Sequence, residues 1–190
     1  MSGLTERWRG ERSILHHDIG PRERTPRLAL VACVENNQDV NGMFVLSRLV
    51  AFLRDIEAGE RPGLRLHERI VIVPTVGNSP DESDVDSRRI GWARWAITEA
   101  VVALTRIAYY RVDIYPASLD IEEMPQLRLY APNDDERASA CLFGLPAVLE
   151  RPLEPGDTPG LVRIWRLYGG ENFSIHALSL IHISEPTRPY

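Results

Sequence analysis

The feature that most constrains the fold is a pair of continuous apolar runs with an amphipathic helix between them. The runs, Leu28–Val34 and Arg69–Val76, have the length and composition of strands buried on both faces. After the first run, apolar residues recur at helical spacing until Gly59 and Pro62 mark the end of the helix. Two such strands joined through a helix predict a right-handed crossover in a parallel sheet. The polar corner Glu35–Gln38, where the first strand passes into the helix, is where such a fold places ligands and catalytic groups.

The remaining segments continue the alternation of strands and helices. Further strands are predicted at 111–115, 126–130, 147–149 and 173–177, and further helices at 93–108 and 134–143. The acidic stretch 77–89 is predicted to be a solvated loop, and 157–160 a turn. The alternation predicts an α/β fold with a mixed, largely parallel sheet and helices on both faces. Residues 1–26 are predicted to be an irregular lead-in with room for one short strand, and residues 27–178 the domain itself.

Composition and charge exclude several classes of function. The chain has 190 residues, of which 44% are hydrophobic, and this suffices for one domain with a substantial core. The formal net charge of -5 argues against nucleic acid or a membrane surface as a partner and favours a small-molecule ligand. No apolar run approaches the ~18 residues of a membrane span, and the N-terminus lacks the apolar core of a signal peptide. Cys33 and Cys141 lie in apolar segments without metal-ligand spacing, which predicts buried free thiols in a cytoplasmic protein.

The last residues are set apart from the fold prediction. Residues 179–190, SLIHISEPTRPY, resemble the translation of a sequencing adapter. The natural chain is therefore expected to be cut short near Leu178, and His182 is discounted as a metal ligand.

Several segments in a fixed order carry a resemblance to a known family. They are LALVACVENNQDVNG, RIVIVPTVGN, YRVDIY, LRLYAPNDDERASACLFGLPAVLERP and GGENFSIHA. Together they cover most of residues 27–177 and resemble the succinylglutamate desuccinylase/aspartoacylase family of zinc-dependent deacylases, relatives of the zinc carboxypeptidases. The resemblance implies a zinc-carboxypeptidase-like fold, C-terminally truncated. It also implies a hydrolase of amide or ester bonds in small acyl-amino-acid-like substrates.

The resemblance further implies where the catalytic groups should lie. In the family, zinc is held by a His and a Glu on the corner after the first long strand, and these positions fall on Glu35 and Gln38. A second zinc-binding His, at the end of a D-x-H strand, falls on Tyr115. Zinc polarises the scissile carbonyl and activates water, and a Glu on a late strand is the general base. That catalytic position falls on His176.

Two further positions concern the substrate. Asn37 matches the Asn of the family's H-G-N-E motif and is assigned to substrate binding by the resemblance. The family reads the substrate carboxylate through an Asn–Arg pair in a D-x-N-R segment. Of the two possible registers in this chain, only 86–89 keeps an arginine in place, and that residue is Arg89.

The substituted positions depart from the chemistry of a zinc site. Zinc prefers imidazole nitrogen and thiolate sulfur, whereas Glu35, Gln38 and Tyr115 offer a carboxylate, a neutral amide and a phenol. Two functional hypotheses follow: a deacylase whose zinc catalysis is impaired, or a non-catalytic pseudoenzyme that binds a small ligand or a protein. In a third interpretation, Glu35, Asn37 and Gln38 only cap the helix that follows them.

Overall fold

Residues 14–32, 40–74, 87–116, 124–154 and 158–177 are described by the computed structural model of the chain. The strands in these ranges are β1 (His17–Ile19), β2 (Pro26–Ala32), β3 (Arg69–Val73), β4 (Tyr110–Pro116), β5 (Gln126–Tyr130), β6 (Ala147–Arg151) and β7 (Glu171–Ala177). The α-helices are α1 (Val40–Glu57), α2 (Ser87–Thr105), α3 (Asp134–Ala140) and α4 (Gly160–Trp165). Short 3-10 turns extend α3 and α4. Within the described ranges, none of the helices is both long enough and apolar enough to cross a membrane.

The strands form one mixed sheet in the order β1-β3-β2-β4-β7-β5-β6. β2 is parallel to β3 and to β4, β4 is parallel to β7, and β5 is parallel to β6. β1 and β5 run antiparallel to their neighbours β3 and β7. This arrangement confirms the predicted mixed, largely parallel sheet. Because β2, β3, β4 and β7 run in the same direction, their carboxyl ends meet at one edge, which we call the carboxyl edge.

Helices lie on both faces of the sheet, as predicted. α1 and α3 pack against one face, where Ile72, Leu127 and Phe173 are buried in apolar clusters. α2 and α4 pack against the other face around Trp165, which is fully buried. The Trp165 indole Nε1 donates a hydrogen bond to Thr105 Oγ1 at 2.9 Å, which joins α4 to α2. Burial of this large side chain with its donor satisfied stabilises the helix layer.

The structure corrects several details of the sequence prediction. The sequence predicts only a turn at 157–160, yet α4 begins at Gly160, because a helix of 6 residues is too short to show periodicity. α2 begins at Ser87, so residues 87–89 lie in a helix and not in the predicted loop. Cys141 is a free thiol, as predicted, but it is exposed, because only the Ala140 side of that segment faces the core. Cys33 lies outside the described residues.

A buried ionic cluster lies at the edge of the sheet opposite the carboxyl edge. The Glu136 carboxylate is fully buried and accepts hydrogen bonds from Arg166 Nη1 at 2.8 and 3.0 Å. It also accepts from the backbone N–H of Asn172 at 2.9 Å and of Asn133 at 3.0 Å. The Asn133 side chain in turn accepts from the Glu136 N–H, which makes the capping box that begins α3. Since Glu136 lies on α3 and Arg166 follows α4, this cluster joins the helices of the two faces.

Arg111 lies beside this cluster, and its guanidinium closely approaches the backbone of Gly170. Its side chain is fully buried, and burial lowers its pKa to about 10, with Glu136 opposing the shift and Arg166 adding to it. The guanidinium therefore stays charged at neutral pH. A Cβ on Gly170 would lie 2.8 Å from Arg111 Nη2 and 2.5 Å from the Tyr109 carbonyl oxygen, and Gly170 has a φ of +74°. Both the close approach and the left-handed backbone require glycine at this position.

Candidate functional site

Tyr115 and His176, two of the predicted site residues, lie side by side at the carboxyl edge. They are register partners in the pairing of β4 with β7, so their side chains leave the sheet on the same face. Their rings are stacked, with centroids 5.2 Å apart and planes inclined by 13°. His176 is only 8% exposed, and its Nε2 lies 3.1 Å from the Ser174 Oγ on the same face of β7. The two rings therefore form one preorganised, largely buried unit.

The other predicted site residues are only partly placed. Glu35, Asn37 and Gln38 lie outside the described residues. Arg89 lies in the first turn of α2, and its side chain is outside the described part of the chain. Their proposed roles therefore remain predictions from the resemblance.

The surroundings of His176 suppress its protonation. Burial, followed by the positive charges of Arg128 and Arg151, lowers the pKa of His176 to about 3. The imidazole is therefore neutral at pH 7. A group that binds protons so weakly is a poor general base, because an efficient base has a pKa close to the working pH.

Polar side chains extend from this pair across the face that carries α2 and α4. Register places them in two rows across β4, β7 and β5: Asp113, Ser174 and Arg128, then Tyr115, His176 and Gln126. We call these six side chains the polar rows. Asp113 and Ser174 are fully buried, and Gln126 is 6% exposed. Burying polar groups in the middle of a sheet is unfavourable unless they bond to one another or to a ligand, so the polar rows mark this face as the candidate site.

Ser174, Gln126 and Arg128 are site residues that the motif comparison misses. Their signal is present in the sequence, because RVDIY, QLRLY and NFSIH each alternate polar and apolar residues. Alternation normally predicts a strand with one solvated face. Here helices cover both faces, so the polar face points into the protein. The sequence does not reveal which elements cover these strands, so the alternation alone could not show that the polar face is buried.

Tyr115 carries a phenol where the resemblance expects a zinc-binding imidazole. A phenol is a poor zinc ligand until it loses its proton, whereas an imidazole binds zinc as a neutral group. Among the described residues, no group of three or more His, Cys, Asp or Glu side chains is arranged to hold a metal ion. This absence holds only for the described residues, and two of the three predicted zinc positions, Glu35 and Gln38, lie outside them.

Ser174 and His176 do not form a nucleophile and its base. A serine nucleophile must be reached by the substrate, and Ser174 is fully buried. Asp113 is the register partner of Ser174 and not of His176, so the carboxylate is not placed behind the imidazole as in a hydrolytic triad. The Ser174 hydroxyl instead fixes the ring of His176.

Comparison with known proteins identifies the fold. No protein-family profile matches the chain, and no curated protein is similar to it in sequence. An aspartoacylase family protein from Mesorhizobium loti is similar in structure, with a TM-score of 0.62, 16% identity and coverage of 86% of this chain and 54% of that chain. A succinylglutamate desuccinylase/aspartoacylase from Rhodobacter sphaeroides matches with a TM-score of 0.51, 15% identity and coverage of 80% and 48%. A product-bound ectoine utilization protein from Ruegeria pomeroyi matches with a TM-score of 0.50, 15% identity and coverage of 80% and 50%.

The sheet and the comparisons together define an α/β protein of the zinc-carboxypeptidase-like fold class, as predicted. More particularly, the chain has the fold of aspartoacylase and succinylglutamate desuccinylase structures, which is the fold that the sequence resemblance implies. The chain spans about half the length of these structures.

Proposed function

We propose that this chain is a zinc-deacylase relative in which metal-dependent hydrolysis is impaired, and that it binds a small acyl-amino-acid-like ligand at the carboxyl edge. The observation that carries the proposal is the stack of Tyr115 on His176. These residues stand where the resemblance expects the second zinc-binding His and the general base. A phenol binds zinc poorly until it loses its proton, and an imidazole with a pKa of about 3 is a weak base. Both substitutions therefore reduce the same activity.

Ligand binding is the function that these substitutions leave possible. The phenol of Tyr115 and the neutral imidazole of His176 are uncharged hydrogen-bonding groups at the end of the sheet where α/β proteins bind ligands. The similar structures support a small-molecule ligand, since they include aspartoacylase family proteins and one is bound to its product. The proposal thus keeps the expected ligand class and abandons zinc as a resident cofactor.

Restoring the family residues should restore hydrolysis. With added zinc and a panel of N-acyl amino acids, the combined variant Glu35→His, Gln38→Glu, Tyr115→His and His176→Glu, which restores the general base as well as the zinc ligands, is expected to exceed the wild type by about a thousandfold or more. Lewis-acid catalysis contributes several kcal/mol to the barrier, and each 1.36 kcal/mol is tenfold in rate. The rate of hydrolysis is measured by chromatography of the released product.

A matched control tests whether the second introduced histidine must stand at position 115 to restore activity. In the control, that histidine is introduced at Tyr109, which lies before β4 at the opposite edge, in place of Tyr115. This control should stay as inactive as the wild type. Zinc-dependent turnover by the wild type at a rate close to that of the restored variant would refute the proposed impairment.

A further inference from the structure

We infer that the chain associates with a second copy of itself through a two-fold contact at the amino edge, the edge of the sheet where β2, β4 and β7 begin. The contact surface is apolar at its centre. Its members are Ile107, Tyr109, Leu167 and Tyr168, which are 56%, 39%, 80% and 47% exposed. They lie on the connections that lead from α2 into β4 and from α4 into β7. We call these four side chains the amino-edge patch. The inference goes beyond the proposed function, because the patch lies at the opposite edge from the proposed ligand site.

Contacts between the two connections make the patch one surface. The backbone N–H of Glu171 donates a hydrogen bond to the Tyr109 carbonyl oxygen at 2.8 Å, which ties the start of β7 to the residue before β4. The Arg106 guanidinium lies over the Tyr168 ring, 5.7 Å from its centroid. The other two members of the patch each lie next to one of this pair in the chain. Exposed apolar side chains that are scattered singly need no explanation, whereas contiguous ones mark interaction surfaces.

The aromatic side chain at the β4 side of the patch is fixed before any partner binds. Arg27 lies over the rings of Tyr109 and Tyr110, 4.6 and 4.9 Å from their centroids. The Tyr109 hydroxyl donates a hydrogen bond to the Glu171 carboxylate, and this bond raises the pKa of Tyr109. Side chains that are already ordered lose little conformational entropy on association. Tyrosine and arginine are also enriched in protein interfaces, so the patch suits a protein partner.

Opposite charges flank the patch on its two sides. Arg106 lies on the side of Tyr168. Asp135 lies on the side of Tyr109, whose pKa its charge helps to raise. Asp135 is in the first turn of α3, which begins at the amino edge because its Glu136 carboxylate accepts a hydrogen bond from the backbone of β7. Arg106 and Asp135 are both exposed, and neither forms an ion pair with another of the described residues.

This distribution of charge makes the surface complementary to itself. A two-fold axis through the amino-edge patch places the basic side of one copy against the acidic side of the other. Arg106 of each copy then faces Asp135 of its partner, and both apolar centres are removed from water. A two-fold contact uses the same surface on both subunits and therefore requires such self-complementarity. A second copy of this chain is thus the partner that the surface fits.

Sedimentation velocity of the full chain over a range of protein concentrations tests the inference. The wild type is expected to form a dimer whose population rises with concentration. Leu167→Glu should weaken dimerisation at least about tenfold, because it places a charge without a partner in the apolar centre. Leu142→Glu is the matched control, since Leu142 is 85% exposed and follows α3, at the far end of that helix from Asp135. This control should dimerise as the wild type does.

Charge reversal tests the two-fold arrangement. Arg106→Glu and Asp135→Arg, each made alone, should weaken dimerisation about tenfold, because each brings like charges together across the contact. The double variant Arg106→Glu, Asp135→Arg exchanges the two charges and should dimerise as the wild type does. Circular dichroism confirms that each variant is folded.

A wild type that stays monomeric at every protein concentration up to about 1 mM overturns the inference. A dimer that Leu167→Glu does not weaken overturns the assignment of the patch. A double charge-reversal variant that dimerises no better than the single variants overturns the two-fold arrangement. If a charge-reversal variant does not fold, loss of dimerisation in folded Leu167→Glu, together with an unchanged Leu142→Glu control, supports the inference.

Discussion

Replacing Glu136 with alanine should lower the free energy of unfolding by about 3–5 kcal/mol, because removing one partner of a buried ion pair leaves the other charge uncompensated. Glu136 is fully buried and accepts hydrogen bonds from Arg166 and from the backbone N–H groups of Asn133 and Asn172. The substitution leaves Arg166 without its carboxylate partner. It also removes the negative charge that opposes the effect of burial on the pKa of Arg111. It also removes one half of the capping box of α3. Urea unfolding at pH 7 followed by circular dichroism measures the change.

Two controls identify the buried charge as the cause. Glu150→Ala removes an exposed carboxylate that also pairs with an arginine, Arg137, and should change the unfolding midpoint far less. Glu136→Gln keeps the shape of the side chain but not its charge, and should fall between the alanine variant and the wild type. Equal midpoints for Glu136→Ala and Glu150→Ala would show that the Glu136 cluster does not stabilise the fold.

Stability should fall in weak acid because of His176. The folded protein takes up a proton on His176 only near pH 3, whereas an unfolded chain does so near 6.5. Between these values the unfolded state binds more protons, so the free energy of unfolding decreases as the pH is lowered. The stabilisation is fully present above pH 6.5, and about 2 kcal/mol of it should be lost between pH 7.5 and pH 5. Chemical unfolding at a series of pH values measures the slope.

The His176→Gln variant isolates this contribution. Glutamine can still bond to Ser174 but does not titrate, so the variant should lose the part of the slope that lies between pH 7.5 and pH 5. Identical pH profiles for the wild type and His176→Gln would contradict a buried, neutral imidazole.

Local sequence patterns were enough to predict most of the secondary structure. The strand predicted at 126–130 has those bounds in the structure, and Gly144 ends the α3 segment in the left-handed conformation expected of a helix stop. The position of β7 could not be predicted, because it depends on pairing with β4 and β5, which lie far apart from it in sequence. α4 was missed since Pro159 and Gly160 resemble turn residues while Leu161 and Trp165 are too few to show a helical period.

The sequence predicted only part of the site, because the site too depends on how distant strands pair. Tyr115 ends one predicted strand and His176 is the penultimate residue of another, and alignment to a family motif was needed to suggest that they serve one site. Their stacking and the low pKa of His176 arise from register and burial, which appear only when β7 is placed beside β4. Arg128 escaped detection because β5 reaches the site from the far side of β7 in the opposite direction.

Zinc affinity is the quantity that most directly tests whether this chain has kept a deacylase fold and lost its metal site. Isothermal titration with zinc, supported by elemental analysis of the purified protein, should find no stoichiometric metal in the wild type. It should find one tightly bound zinc in the variant Glu35→His, Gln38→Glu, Tyr115→His, because that set supplies two imidazoles and a carboxylate. One equivalent of tightly bound zinc in the wild type, or none in a folded triple variant, would contradict the assignment of these positions.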